Sequence, residues 1–190
     1  MKSRLMLPAL LAMSCCACVT HIRPTATDNP PPQEALSAFQ HFQLQPVLAT
    51  TAEVREQNAA MAKIAANVQQ KLGDTVTRWE HKGQGGRTLK IEPRVTELKF
   101  VGGGKRFFAG AMAGSSAVVM QVRLIDADTG KVIADPQFYQ RAAAMGGAWS
   151  IGGTDNGMLV RISTVAQQYM QRNYASAVGG PTGLDGSEEE

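Results

Sequence analysis

Cysteine is the most reactive side chain in this 190-residue sequence, and it occurs only at Cys15, Cys16 and Cys18. Cys15 and Cys18 have the spacing of a C-x-x-C pair, which supports redox chemistry or metal binding when regular structure positions it. No strand or helix pattern surrounds these residues, so neither chemistry is favoured. Because no cysteine follows residue 18, the rest of the chain can form no internal disulfide, thiolate metal site or cysteine nucleophile.

The residues before the cysteines have the layout of an export signal. Lys2 and Arg4 form a basic head, and an uncharged run from Leu5 to Ala17 follows. That run has 13 residues and contains Pro8, whereas a membrane-spanning helix needs about 20 apolar residues. We therefore predict a signal peptide over residues 1–14. A short buried helix at the N-terminus is the disfavoured alternative.

The cysteines resemble the lipid-acceptor site of bacterial lipoproteins, in which a leucine-like residue, a small residue and Gly or Ala precede the modified cysteine. Cys15 follows Ala12, Met13 and Ser14 and is the preferred site, with Cys16 and Cys18 as alternatives. In enterobacterial lipoproteins, an Asp directly after the modified cysteine retains the protein at the inner membrane. No Asp follows any of the three candidate cysteines here. The resemblance therefore implies an outer-membrane lipoprotein that faces the periplasm and contacts the membrane through an N-terminal lipid such as palmitate. The inner membrane is the less favoured destination.

The net charge argues against nucleic acid as a partner. The whole chain carries +3, and losing Lys2 and Arg4 with the signal leaves +1. Nucleic-acid binding needs a dense basic patch, which a nearly neutral chain does not suggest. The length left after the signal fits one domain.

Three further motifs fail on their spacing or order. Gly104-Lys105 suggests a phosphate loop, but Arg106 stands where Ser or Thr is required. Ser150 lies in an A-x-S-x-G stretch like a nucleophile elbow, but every histidine precedes it, and hydrolases place His after Ser. Residues 126–130 begin like a calcium loop, but the twelfth position is Gln rather than Glu. No cofactor or metal is predicted.

Paired carboxylates could still perform general acid–base chemistry. Four acidic residues lie on or beside predicted strands: Glu92, Glu97, Asp126 and Asp135. Their alternation with apolar residues is typical of solvent-facing positions. A cleft that brought two of them together would favour an enzyme.

One uncharged segment, residues 107–119, follows two basic residues and contains G-x-x-x-G spacing, which lets backbones pack closely. It is too short to span a membrane as a helix. The purely structural interpretation is a buried connection between two core strands. The functional interpretation is an exposed segment that contacts membrane or a partner subunit. The residues of that candidate contact are Lys105, Arg106, Phe107, Phe108, Gly110, Met112 and Gly114.

Composition divides the chain after the signal into three parts. Residues 15–37 contain the lipid site and four prolines, which favour an extended, solvated tether. Residues 38–176 alternate helix and strand patterns and form the predicted single domain. Residues 177–190 are rich in Gly and end in three glutamates, which is typical of a disordered tail.

Within the domain, two long segments repeat apolar residues at helical spacing, and we predict helices over 52–72 and 155–176, with Thr51 capping the first and Gly73 ending it. The predicted apolar face of the second helix consists of Leu159, Ile162, Val165, Ala166, Tyr169, Met170 and Tyr174.

Period-2 alternation predicts strands at 39–44, 76–79, 88–101, 116–126 and 131–139. A short helix over 34–43 is the alternative to the first strand. The last four strands follow one another without a helix, which points to an antiparallel meander. The apolar phase changes between Val95 and Leu98, which predicts a bulge. The fold class is therefore α+β, a mostly antiparallel sheet of about five strands with two amphipathic helices packed on one face.

The stretch from Glu97 to Asp135 resembles a family of uncharacterised bacterial lipoproteins defined by a domain of unknown function. A basic residue, an aromatic and a glycine-rich segment lead there into a strand and a D-x-x-T-G hairpin. The resemblance implies a lipid anchor and an envelope location, and brings no substrate or catalytic residue.

These observations favour a lipid-anchored envelope protein that acts by binding a protein partner or by self-association rather than by catalysis. Two other classes stay open: a periplasmic enzyme with a carboxylate-based site acting on cell-wall material, and a carrier of a small apolar ligand. A closed apolar cavity between sheet and helices would favour the carrier.

Overall fold

The computed structural model describes residues 26–83, 85–100, 116–142 and 153–184. The larger sheet contains β2 (His41–Leu44), β3 (Leu48–Ala49), β4 (Thr88–Lys99), β5 (Ala117–Asp126), β6 (Val132–Ala134) and β7 (Gln137–Arg141). The helices are α1 (Ala52–Arg55), α2 (Asn58–Val68), α3 (Asp74–Trp79) and α4 (Gly153–Arg172). Two short strands, β1 (Asp28–Asn29) and β8 (Gly180–Pro181), form a separate ribbon. The predicted α+β class is confirmed.

The larger sheet is mostly antiparallel around its two long central strands. β4 pairs with β5, and β5 pairs with both β6 and β7, all antiparallel. β2 and β3 instead run parallel to β4, and these two parallel pairings lie outside the meander predicted for the later strands. A parallel pair needs a long crossover connection, and the helices α1 to α3 provide it.

The predicted bulge lies where the apolar phase changes. Val95 pairs with Met120, and Glu97 pairs with Val119, the neighbour of Met120 on β5. β4 therefore has one extra residue at this point, Thr96. Leu89, Ile91 and Val95 are fully buried before the bulge, and Leu98 is buried after it. The extra residue keeps the apolar side chains on the core face although their spacing changes.

The first helical region is longer than predicted. Residues 56–57 interrupt it between α1 and α2, and a π-helical turn interrupts the regular α-helix further along. Thr51 caps α1 by accepting a hydrogen bond from the Val54 N–H at 3.3 Å, as its position suggests. A π-helical turn, Gln69–Gly73, then joins α2 directly to α3. The predicted strand over 76–79 was therefore wrong. Gly73 has helical dihedral angles and does not end the helix, so the chain continues into α3.

The core lies between the sheet and the helices. Along β5 the side chains of Val118, Met120, Val122 and Leu124 are buried against α2 and α4. α4 contributes five buried residues that periodicity predicted, Leu159, Ile162, Ala166, Tyr169 and Met170, and one that it did not, Met158. α4 ends at Arg172, four residues earlier than expected, because Asn173 binds the last turn.

Both ends of the domain extend beyond the predicted boundaries. β1 pairs antiparallel with β8, and the Asn29 side chain exchanges two 2.8 Å hydrogen bonds with the backbone of Gln137. Leu36 is fully buried. Residues 26–37, which the sequence assigned to a tether, and residues 177–184, which it assigned to a disordered tail, thus belong to the fold. Prolines do not prevent this, because Asn29 supplies the hydrogen bonds from its side chain.

Candidate functional site

Two glycine-rich segments of the sequence, 101–115 and 143–152, connect to the same end of the sheet. Lys99 pairs with Ala117, and Ala117 pairs with Arg141 on its other side. The Ala142 N–H donates to the Ser116 oxygen at 2.9 Å, which extends this ladder by one bond. We call this the glycine end of the domain. The opposite end, where residues 126–130 join β5 to β6, is the turn end.

The site residues predicted from sequence lie outside the described residues. These are the three cysteines and the candidate contact residues: Cys15, Cys16, Cys18, Lys105, Arg106, Phe107, Phe108, Gly110, Met112 and Gly114. The structure places the residues that flank the second set. Phe100 is partly buried against the core, and Ser116 is fully buried. The last four residues of the uncharged segment, 116–119, are therefore buried where β5 begins, and its earlier residues lie outside the described part of the chain.

A cleft of about 470 Å³ opens beside Phe100, between α2 and the start of α4. Lys63 Nζ donates to Asn156 Oδ1 at 2.7 Å across it. The other lining residues are Glu56, Gln57, Asn58, Ala59, Ala60 and Leu159. The side-chain amides, one carboxylate and one ammonium group of this cleft can form hydrogen bonds with polar groups of a bound molecule. The sequence offered no signal for this cleft, because its residues lie on separate elements.

A second cleft of about 350 Å³ lies over β5 and β7, beside the β1 and β8 ribbon. Two carboxylates, Asp28 and Asp135, line it together with Gln121, Asn29 and Gln137. Partial loss of solvent raises the pKa of Asp135, and the Arg123 guanidinium opposes that rise. Asp28 was not a predicted candidate, because the sequence assigned it to the tether.

The four predicted carboxylates are not gathered into either cleft; Asp135 alone lines one. Glu92 is held between two cations, with Lys90 Nζ at 2.7 Å and Arg94 Nη2 at 2.6 Å. Those hydrogen bonds hold the pKa of Glu92 below its usual value. Glu92 is therefore a charged partner in an ion-pair ladder on the outer face of the sheet.

Asp126 belongs to a clamp at the turn end. The Arg87 guanidinium donates two hydrogen bonds to Glu34, at 2.7 and 2.8 Å, and reaches Asp126 Oδ2 at 2.7 Å. It also lies 4.3 Å from the centre of the Phe39 ring. The hydrogen bond from Arg87 lowers the pKa of Asp126, whose other oxygen accepts from the N–H groups of Asp128 and Thr129. The clamp joins three distant parts of the chain and leaves Asp126 no free proton to transfer.

Within the described ranges, no three side chains of His, Cys, Asp or Glu are gathered where they could share a metal ion. The same ranges contain no helix whose length and apolarity would let it cross a bilayer. The two clefts are open and partly polar rather than closed and apolar.

Several solved structures are similar to this chain at low sequence identity and low TM-score. A PelC dodecamer from Paraburkholderia phytofirmans is 12% identical, with 71% of this chain and 91% of that chain covered and a TM-score of 0.38. A "putative lipoprotein" from Caulobacter crescentus CB15 is 15% identical, with 74% and 93% covered and a TM-score of 0.34. The hypothetical protein CT253 from Chlamydia trachomatis is 13% identical, with 70% and 98% covered and the same TM-score. Likeness at this level carries no argument about function.

No curated protein matches the sequence. A family model does match it, over residues 32–147, and its description is a domain of unknown function, DUF4410. The match includes the stretch from Glu97 to Asp135 on which the family resemblance was based.

Proposed function

The chain belongs to the DUF4410 family, and from that premise we propose that it is a lipid-anchored protein of the cell envelope that works by binding a partner or by self-association. The lipid is attached at Cys15, and the anchored domain faces the periplasm from the outer membrane. The observation that carries this proposal is the N-terminal layout: a basic head, a 13-residue apolar run and a cysteine at its end.

The distance between the cysteine and the fold supports the proposal. The β1 and β8 ribbon begins at Asp28, and Thr27 already bonds Thr182 through its backbone oxygen at 2.7 Å. About a dozen residues therefore separate Cys15 from the folded domain. At full extension they span about 40 Å, which holds the domain close to the membrane.

The chemistry of the described residues supports binding over catalysis. Glu92 and Asp126 are neutralised by cations, and their pKa values are lowered, so neither is suited to act as a general acid near neutral pH. The part of the uncharged segment that precedes Ser116, beginning at Phe107, is the proposed contact with membrane or partner, because its charge-free composition is unusual for a solvated connection.

The anchor is tested by labelling growing bacteria with radioactive palmitate and comparing single cysteine variants. Cys15→Ser should remove the label and leave the precursor uncleaved, whereas the matched control Cys18→Ser should keep both label and cleavage. Globomycin, which inhibits the lipoprotein signal peptidase, should block cleavage of the wild-type chain. A label that depends on Cys16 instead would assign the lipid to Cys16. A chain that never carries label would contradict the anchor.

The contact segment is tested by cross-linking in intact cells followed by mass spectrometry of what co-purifies. The double variant Phe107→Ser, Gly110→Asp should lose the cross-linked species while the domain still folds. Leu48→Ser is the matched control, because Leu48 is an exposed apolar side chain (51% exposed) on the edge strand β3. Unchanged cross-links in the double variant would contradict a role for the segment.

A further inference from the structure

We infer that the glycine end of the domain faces the membrane and that the turn end points away from it. This inference rests on the proposed lipid anchor and adds an orientation to it. The partner is a lipid surface, and the part of the domain nearest to it is the end that carries Lys99, Ala117 and Arg141.

The direction of the N-terminal strand carries the inference. Followed towards the N-terminus, the chain bonds to Ile133 through Gln33 and to Gln137 through Asn29. It then reaches Thr182, whose oxygen accepts from the Tyr139 N–H. β7 itself runs from Gln137 towards Arg141 at the glycine end. The chain therefore leaves the fold in the direction of the glycine end.

The C-terminal strand defines the same direction independently. β8 begins at Gly180 opposite Asn29, and Thr182 bonds Tyr139. Leu184 then packs on the cluster of Ala117, Val119 and Tyr139, which lies nearer the glycine end. Because β1 is antiparallel to β8, its N-terminal side must lie where β8 leads.

The chain that connects Cys15 to the fold is short, so the direction in which it leaves the fold determines which end of the domain lies near the membrane. Eleven residue steps separate Cys15 from Ala26, and a flexible chain of that length has an end-to-end distance of about 17–20 Å. β5 has 10 residues, so the two ends of the sheet are about 33 Å apart. The chain leaves beside Tyr139, whose partner Val119 lies seven residues from Asp126. Placing the turn end on the membrane would require the chain to fold back over about 23 Å, further than its flexible end-to-end distance, which has an entropic cost.

The orientation can be measured on the full lipid-modified chain in phosphatidylcholine vesicles that contain a headgroup-nitroxide lipid. A fluorescent non-natural amino acid replaces either Lys99 at the glycine end or Asp128 at the turn end, both of which are exposed. Quenching by the nitroxide should be several-fold stronger at position 99. Inserting about 30 Gly and Ser residues before Ala26 should largely remove the difference, because the end-to-end distance then rises to about 32–38 Å.

The outcomes separate this inference from the proposed function. Equal quenching at the two positions, or stronger quenching at position 128, in a chain whose mass shows the lipid would overturn the orientation and leave the anchor intact. A mature chain without lipid in the mass spectrum would overturn both.

Discussion

His41 and Glu80 form a short ion pair, with 2.6 Å between Nδ1 of the imidazole and Oε1 of the carboxylate. The other ring nitrogen, Nε2, lies 3.1 Å from the Gly85 carbonyl oxygen. Both partners are acceptors, so only the doubly protonated imidazolium can donate to both. The hydrogen bond to Glu80 raises the pKa of His41, and the hydrogen bond from His41 lowers the pKa of Glu80.

This pair predicts a pH-dependent stability. A raised folded-state pKa means that the His41 contribution is complete below the unfolded value of 6.5 and is lost as pH rises through the folded value. The Glu80 contribution is present above its unfolded value of 4.5 and is lost as pH falls through its lower folded value. The effect is small because the pair is partly exposed.

Urea unfolding measures the effect, at about pH 5.5 and about pH 8.5, on either side of the histidine transition. The wild-type domain should lose stability at the higher pH, and His41→Gln should show a smaller loss. His81→Gln is the contrasting variant: His81 is exposed and lowers the pKa of Glu80 only through its charge, the last of the causes, so its removal should change the pH difference less than His41→Gln does. An unchanged pH difference in His41→Gln would show that the pair has no role in stability.

Two glycines should respond in opposite ways to alanine. Gly73 has helical angles, and the nearest atom to an added Cβ is the terminal amide nitrogen of the Gln69 side chain, which is exposed and can move. Gly73→Ala should therefore stabilise the domain by about 0.5–1 kcal/mol.

Gly179, by contrast, has a φ of +73°, and an added Cβ would lie 2.5 Å from the Asn29 backbone oxygen. Gly179→Ala should destabilise the domain by at least about 2 kcal/mol, from the left-handed backbone and the clash together. The midpoints of urea unfolding test both glycines. A destabilised Gly73→Ala would show that the π-helical turn cannot accept a side chain.

The fully buried Asn173 joins α4 to β8. Its Oδ1 accepts from the N–H groups of Val178 and Gly179, both at 2.8 Å, and its Nδ2 donates to the Tyr169 and Gly179 oxygens. Asn173→Ala leaves these groups without their partner and should cost roughly 2–4 kcal/mol.

Ser163→Ala is the contrasting variant for Asn173, because the buried Ser163 hydroxyl has no hydrogen-bond partner among the residues that the structure describes. Removing that hydroxyl should leave stability unchanged or raise it slightly. Calorimetric melting of both variants provides the comparison. If Asn173→Ala melted like Ser163→Ala, the amide would not be what holds β8 in place.

Local patterns predicted those parts of the fold that depend on local physics. The phase change between Val95 and Leu98 predicted the bulge because a strand has an exact period of two. The apolar stripe from Leu159 to Met170 predicted the buried face of α4. Threonine at position 51 predicted a cap, since its hydroxyl oxygen can accept from a free N–H in the first turn.

Contacts between distant parts of the chain were not predictable in the same way. Arg87 meets Glu34 and Asp126, which are 53 and 39 residues away, and no spacing rule connects the three. Gly73 was expected to stop a helix, but a glycine in helical conformation is compatible with continuation, and the packing of Leu72 and Val76 against the core favours it. Asp28 and Gly180 lie in segments of low hydrophobicity, which join the fold by pairing with each other and by hydrogen bonding to β7.

The intact mass of the chain extracted from outer-membrane fractions decides whether the N-terminus carries a lipid anchor. We predict a mature chain that begins at Cys15 and carries a diacylglyceryl group and an amide-linked acyl chain. A chain that begins elsewhere and has the mass of its unmodified residues would contradict it.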